Sequence, residues 1–194
     1  APIALDHDLL QVGIRSTRQL SRMVESLLDI QRLEEGKAVL DPKPTSLHNL
    51  LANAAQLVQP LAAEFKQRLT FELADNLPFV SCDADMILRV VTNLMENAVK
   101  YTPPGGRVTL RCGTQARGDD TCSFLEVEDN GPGVPLPERE RMLERFYRVP
   151  GTTGEGTGLG LAIASEIARV HHSHLQVLDA REGQGLRVRL ELVG

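Results

Sequence analysis

The chain has 194 residues, enough for one ordinary domain with an appendage and a core of its own. Twenty-one Lys and Arg against 26 Asp and Glu give a formal charge of -5, which leaves no broad basic footprint and sets nucleic acid aside as a partner. No apolar run reaches the roughly 18 residues of a membrane-spanning helix, the start lacks a charged-then-apolar leader pattern, and Cys82, Cys112 and Cys122 show neither an even count nor C-x-x-C spacing, which argues against a disulfide framework and a zinc site.

Residues 8 to 35 carry Leu20, Met23, Leu27 and Ile30 at alternating three- and four-residue steps, with Val24 and Leu28 widening the stripe, and predict a bundle helix. Gly36 suits its C-terminal stop, "LDPKPTSLHN" reads as a linker, and a new helix starts near Ser46, so a division falls near residue 40. A helix at about 47 to 66, a strand at 69 to 73 and a helix at 84 to 101 capped by Asp83 follow. Strands are expected at 107 to 112 and 122 to 129. Cys112 and Cys122 fall on these neighbouring strands, but all three cysteines read as buried free thiols in a reducing cytoplasm. A Gly- and Pro-rich stretch from 131 to 157 encloses one short helical piece, "ERERMLERFYR", before a helix at 159 to 171 and strands at 175 to 179 and 186 to 192. Helices over a mixed sheet make an α/β sandwich. A connection as long as 131 to 157 inside a compact domain points to a functional lid or a disordered segment.

Polar chemistry gathers in "NLMENAVKYTPPGG", residues 93 to 106. Val90, Val91, Leu94, Ala98 and Val99 give this helix its apolar side, while Asn93, Asn97, Lys100 and Tyr101 share another face. Asparagine is a mediocre helix former, so two in register suggest that their oxygens are used. "DNGPGVP", 129 to 135, puts Asp129 at a strand end before Gly131 and Gly133; alone it could be an ordinary turn. "GEGTGLGLAIA", 154 to 164, places Gly154, Gly156, Gly158 and Gly160 before an apolar helix, where free backbone amides can cradle phosphate. It is neither a Walker loop nor a Rossmann fingerprint.

In this order, "NLMENAVKYTPPGG", "DNGPGVP", "ERFYR" and "GTGLGLAIA" resemble the N, G1, F and G2 boxes of sensor histidine kinases, in the superfamily shared with gyrase, mismatch-repair ATPases and the ninety-kilodalton heat-shock chaperones. The resemblance covers residues from about 45 to the end, and "LSRMVESLLDIQRLEEGK" looks like the second helix of the family's dimerisation and phosphotransfer hairpin. It implies a two-layer, Bergerat-type ATP-binding sandwich at 47 to 194 with an ATP lid at about 134 to 157. A linker would occupy 37 to 46, and part of the hairpin 1 to 36. ATP and Mg2+ are the implied cofactors, with Asn97 as metal ligand through its hard amide oxygen. Asn93 would lie near the phosphates and the metal's waters, Lys100 would add positive charge there, and Tyr101 would offer its ring to the nucleotide. Asp129 would accept from the adenine amino group, with Gly131 and Gly133 letting the chain approach the base. Gly156, Thr157, Gly158, Leu159 and Gly160 would bring backbone amides to the phosphates, and Arg145 or Arg148 would approach the γ-phosphate when the lid closes.

Two departures accompany the match. Where the family carries a Gly-Gly pair after the helix that follows the G2 box, this chain has His172 and Ser173 in "VHHSHLQV", and we read His171, His172 and His174 as surface histidines rather than a metal cluster. The phosphoacceptor box is absent: His7 has an acidic neighbour but no following Arg-Thr-Pro, and it sits too near the hairpin match to belong to the preceding helix. We therefore expect a piece of a longer protein whose upstream part holds the acceptor helix, the sensor and any membrane anchor. The expected chemistry is transfer of the ATP γ-phosphoryl to a histidine outside this chain, then to a response-regulator receiver domain. The parent is expected to be a homodimer, cytoplasmic or anchored in the inner membrane, with no membrane contact by this chain. A gyrase- or chaperone-type ATPase clamp is the alternative, but such clamps carry a glutamate base at the position of Asn93. A degenerate binding module or a serine or dehydrogenase kinase is also conceivable; the complete boxes and the hairpin-like helix favour the histidine kinase.

Overall fold

The computed structural model describes residues 7–117, 120–152 and 156–192. A long helix, α1 (His7–Glu34), leads through β1 (Lys43–Ser46) to α2 (Leu47–Glu64), β2 (Arg68–Leu73), β3 (Phe79–Cys82) and α3 (Ala84–Tyr101). The hairpin β4 (Arg107–Arg117) and β5 (Asp120–Asp129) follows, then the long connection, α4 (Gly160–Val170), β6 (Leu175–Asp179) and β7 (Leu186–Leu192). Five strands form one sheet in the order β2-β4-β5-β7-β6, with β2 parallel to β4 and the other pairs antiparallel. The α/β sandwich expected from the sequence is the observed architecture.

Register explains why the sheet has one apolar and one charged side. Leu110, Val127, Val188 and Val177 form one cross-strand row, and Cys112, Leu125, Leu190 and Leu175 another; both pack into the core under α2, α3 and α4. The alternate positions carry Arg111, Glu126 and Arg189 in one row and Thr109, Glu128 and Arg187 in the next. Glu126 is fully buried there, 2.8 Å from Arg181 and 3.3 Å from Arg187, with Arg111 at 3.5 Å and Arg189 at 3.9 Å. Cys112 faces Leu125 and Cys122 faces Gln115, so these thiols are not opposite each other. All three cysteines are free and buried, and burial pushes Cys112 up to about 12.

The helix boundaries follow from capping. Ser46 and Asp83 accept from the Asn49 and Met86 amides at the starts of α2 and α3. The Gly36 and Lys37 amides donate to the carbonyls of Leu33 and Arg32, the paired bonds that close α1. The turn expected to form without glycine after α4 has the same pattern. His172 takes φ +56 and donates to Arg169, while Ser173 donates to Ala168.

Three expectations are corrected. The stretch read wholly as linker contains β1, which pairs antiparallel with the unforeseen β3 in a separate two-stranded sheet. Both strands have four residues, too few for a period to show. "ERERMLERFYR" is not one helical piece: 3-10 turns form at Leu136–Glu138 and Arg141–Leu143, and Phe146 breaks any continuation with φ +62. His171 is no plain surface histidine, because its Nε2 accepts from the Asp83 amide and its Nδ1 donates to the Ile167 carbonyl, tying the end of α4 to the start of α3. Among the described residues no group of three potential metal-binding side chains occurs.

α1 does not stand away from the sandwich. Ile30 and Leu33 are buried in the common core, with Met23 and Leu27 packed against it. Asp29 pairs with Arg89 of α3 at 2.6 Å, and Arg169 of α4 donates to the Leu33 carbonyl.

Candidate nucleotide site

α3, α4 and the β5 end enclose two joined cavities. The smaller, about 100 Å³, is lined by aliphatic side chains including Leu94, Val134, Leu186 and Val188, with Asp129 as its carboxylate. The larger, about 550 Å³, holds Asn93, Asn97, Lys100, Gly156, Thr157, Gly158 and Gly160. Asn97, Tyr101, Tyr147 and Arg148 border both, so one cleft runs from an apolar slot to a polar mouth.

Asp129 is held by backbone. Its Oδ1 accepts from the Gly131 amide at 2.8 Å, and the Leu186 amide also donates to the carboxylate. Burial outweighs these donors, and with a minor contribution from Glu128 it raises the Asp129 carboxyl to about 6. The β6–β7 turn is built against this residue. Gly185, at φ +146, lies so close that a Cβ there would be 1.9 Å from the Asp129 carbonyl oxygen, and Gln184 donates to Pro132 O at 2.8 Å. Sequence reasoning passed over Gly185, Gln184 and Leu186, and the only available signal was the glycine pair in "EGQG" beside a strand.

At the polar end, Asn93 Nδ2 donates to the Gly160 carbonyl at 3.1 Å, joining α3 to the start of α4. A side chain at Gly160 would sit 3.7 Å from Asn93 Oδ1 and 3.9 Å from Asn97 Nδ2, so both amides border the same helix N-terminus. Asn97 makes no side-chain hydrogen bond among the described residues, whereas Lys100 pairs with Glu96 one turn back at 3.3 Å. Thr157 Oγ1 accepts from Leu159 N–H, and Leu159 itself is buried as an anchor for α4.

The segment 144–148 is pinned to the glycine run. The Phe146 amide donates to Gly158 O at 2.9 Å, and Gly158 takes φ +69 with no room for a Cβ, which would fall 2.9 Å from Phe146 Cα. Tyr147 donates its hydroxyl to Glu138 and lies under Arg141, whose guanidinium is 4.3 Å from the ring centre. Of the two arginines expected near the phosphates, Arg148 borders the cleft. Arg145 does not: it forms an ion pair with Glu34 at the end of α1 and lines a separate groove with Leu143 and Ser165. Gly133 borders the apolar slot and Gly131 lies against Asp129. Gly154 falls outside the described residues, as does part of the expected lid.

An apolar slot with one acceptor carboxylate, opening onto two amides and a glycine-flanked helix start, is the architecture of a purine nucleotide site in a two-layer sandwich. The chain belongs to the histidine kinase-, DNA gyrase B- and HSP90-like ATPase family, whose model matches residues 82–193, and within it corresponds to the ATP-binding catalytic domain of sensor histidine kinases. Sensor protein kinase PmrB of Pseudomonas aeruginosa is 36% identical over 194 residues, covering 98% of this chain and 39% of that protein. Full-length ShkA, crystallised in complex with AMPPNP, matches with a TM-score of 0.78 and 29% identity over 92% of this chain and 36% of its own. Likeness of fold alone, at 21% identity and a TM-score of 0.73, extends over 99% of this chain and 52% of histidine kinase ThkA, solved in complex with response regulator protein TrrA. The chain spans 29 to 39% of the length of the first curated relatives it matches. Among its described residues no helix is long and apolar enough to cross a membrane.

Proposed function

We propose that this chain binds Mg-ATP and donates the γ-phosphoryl to the imidazole of a histidine on an upstream acceptor helix, from which it passes to an aspartate of a receiver domain. The observation that carries the reading is the continuous cleft with Asp129 at its apolar end and Asn93, Asn97 and the α4 start at its polar end. Asp129 accepts from the adenine amino group. A guanine carbonyl in that place would face a buried acceptor, a mismatch of about 1 to 3 kcal/mol. Tyr101 flanks the nucleotide, Lys100 and Arg148 offset phosphate charge, and the amides from Gly156 to Gly160 face the phosphates.

The residues present fit a magnesium ion. Among the described residues Asn97 offers an uncommitted amide oxygen in the cleft and no carboxylate cage surrounds it, the donor set of an ion held mainly by phosphate oxygens and water. When bound, the ion would draw charge from the phosphates and Asn97 would hold it, while Asn93 keeps the glycine segment in register with α3.

Within this reading, residues 1–36 are the second helix of the hairpin, 37–46 the connection, and 47–194 the catalytic domain with its lid at about 134–157. Cytoplasmic placement, a homodimeric parent and a receiver-domain partner belong to the same proposal; the AMPPNP complex of ShkA supports the nucleotide and the TrrA complex of ThkA the receiver-domain partner. The ATPase-clamp alternative loses ground because Asn93 donates to backbone and cannot take a proton from water. Calorimetry with Mg-ATP tests the site: Asp129→Asn and Asn97→Ala each weaken binding strongly, and unchanged affinity in both removes the assignment.

A further inference from the structure

The larger cavity has a wall that the catalytic domain does not supply. Gln19, Arg22 and Ser26 of α1 line it together with Asn93 and Asn97. These positions, continued by Asp29 and Leu33, recur at three- and four-residue steps and form one side of α1. Their placement is fixed further along the same helix by the Asp29–Arg89 pair, by the Arg169 bond to Leu33 O and by the burial of Ile30 and Leu33. The cleft also holds a definite set of cations. Lys100 is paired with Glu96 and Arg89 with Asp29, while Arg145 is drawn out of the cleft by Glu34. Arg22 differs: its Nε donates to the Arg18 carbonyl at 3.3 Å, and its two terminal nitrogens have no partner among the described residues. Arg148 also borders the cleft, on the lid side.

We infer that Arg22 is a phosphate-binding residue contributed by α1, which meets the terminal phosphate of the nucleotide and so makes the docked helix a reader of ATP against ADP. The inference rests on the nucleotide reading of the cleft and adds a residue and a selectivity to it. Asp129 recognises the base, which ATP and ADP share; a guanidinium on the α1 wall meets the group in which they differ. A planar fork with free nitrogens suits a phosphate carrying two or more oxygens at its end. Among the described residues the lining carries Arg22, Arg89, Lys100 and Arg148 with Glu64 and Glu96, and of these cations Arg89 and Lys100 are already paired with Asp29 and Glu96.

The test uses the whole chain with Mg-ATP and Mg-ADP in parallel titrations. Arg22→Gln should weaken ATP about tenfold, the scale of one charge-assisted hydrogen bond, and change ADP affinity less than twofold. Arg22→Lys should recover part of the ATP affinity, since it keeps the charge without the fork. Equal losses for both nucleotides would mean that the substitution disturbs the docking of α1, and no loss for either would place Arg22 outside the site; each result overturns the inference. Binding of neither nucleotide by the unaltered chain would overturn the nucleotide reading itself and this inference with it.

Discussion

Asp129 shows how a single residue can be useful and costly at once. Its carboxyl, ordinarily near 3.8, stands at about 6 because burial outweighs the Gly131 and Leu186 amides. A raised carboxyl means that the folded chain holds a proton the unfolded chain has released, so stability falls as pH rises from about 4 to about 6 and is level above. Asp129→Asn should remove that slope and raise the stability of the nucleotide-free chain at neutral pH by about 1 to 3 kcal/mol, read from urea unfolding at pH 4 and pH 7. The same substitution should weaken ATP. In the unaltered chain nucleotide affinity should drop as pH falls below about 6, and the difference from the Asn variant isolates this carboxyl from the titrating phosphates. Equal stability profiles for the two proteins would contradict the shift. Asp129, Asn93 and Asn97 were legible in the sequence because each is an odd choice for its place: an acid at a strand end before two glycines, two amides on an amphipathic helix. Gly185 and Leu186 were not, since their contact with Asp129 joins turns more than 50 residues apart and leaves no local pattern.

At the scale of elements, α3 and α4 could be read closely because period and boundary agree, with the capping Asp83 before one and a glycine-rich run before the other. The segment from Glu138 to Arg148 misled because its charged and apolar residues suit a helix, while its backbone is committed to Gly158 through Phe146. The sheet had a second hidden feature. The sequence placed strands at 122 to 129 and 186 to 192, but it did not reveal that their polar face buries Glu126 among four guanidinium groups. Charge complementarity of this kind exists only once register is set. Glu126→Ala leaves those cations without their shared anion and should cost about 3 kcal/mol, measured by denaturant unfolding. Arg111 keeps Glu72 and Glu128, and Arg189 keeps its place over Phe124, so the fold should survive. A loss below about 1 kcal/mol would show that water replaces the carboxylate, as for an ordinary surface pair.

α1 links the elements to the molecule. Its sequence predicted a bundle helix, and the structure divides its apolar residues between two tasks. Met23, Leu27, Ile30 and Leu33 pack on the sandwich, while Leu20, Val24 and Leu28 remain 62%, 55% and 48% exposed. A second apolar side of that size, each residue worth roughly 1.5 to 3 kcal/mol if fully covered, is expected to bring two chains together. Light scattering should find a dimer that Leu20→Gln with Leu28→Gln returns to monomer without loss of ATP binding. A monodisperse monomer of the unaltered chain across the micromolar range would contradict this.

For the molecule as a whole, the proposed chemistry requires an acceptor held in line with the γ-phosphate. The sequence has no phosphoacceptor box, and Asn93 stands where a clamp ATPase keeps its base. This polypeptide alone should therefore bind ATP while neither labelling itself nor hydrolysing the nucleotide appreciably. The pairing of Arg145 with Glu34 holds that arginine away from the cleft. Supplying the acceptor separately should restore transfer. Mixed with radiolabelled ATP and a protein carrying the parent's complete hairpin, the chain should label that partner with an acid-labile, base-stable phosphate, the behaviour of phosphohistidine. Asn97→Ala should abolish the label with an unchanged circular dichroism spectrum, because the amide is exposed to the cleft and bonds to no described residue. Rapid turnover of ATP by the chain alone would instead place it with the hydrolysing clamps, and label appearing on His7 would move the acceptor into α1 itself.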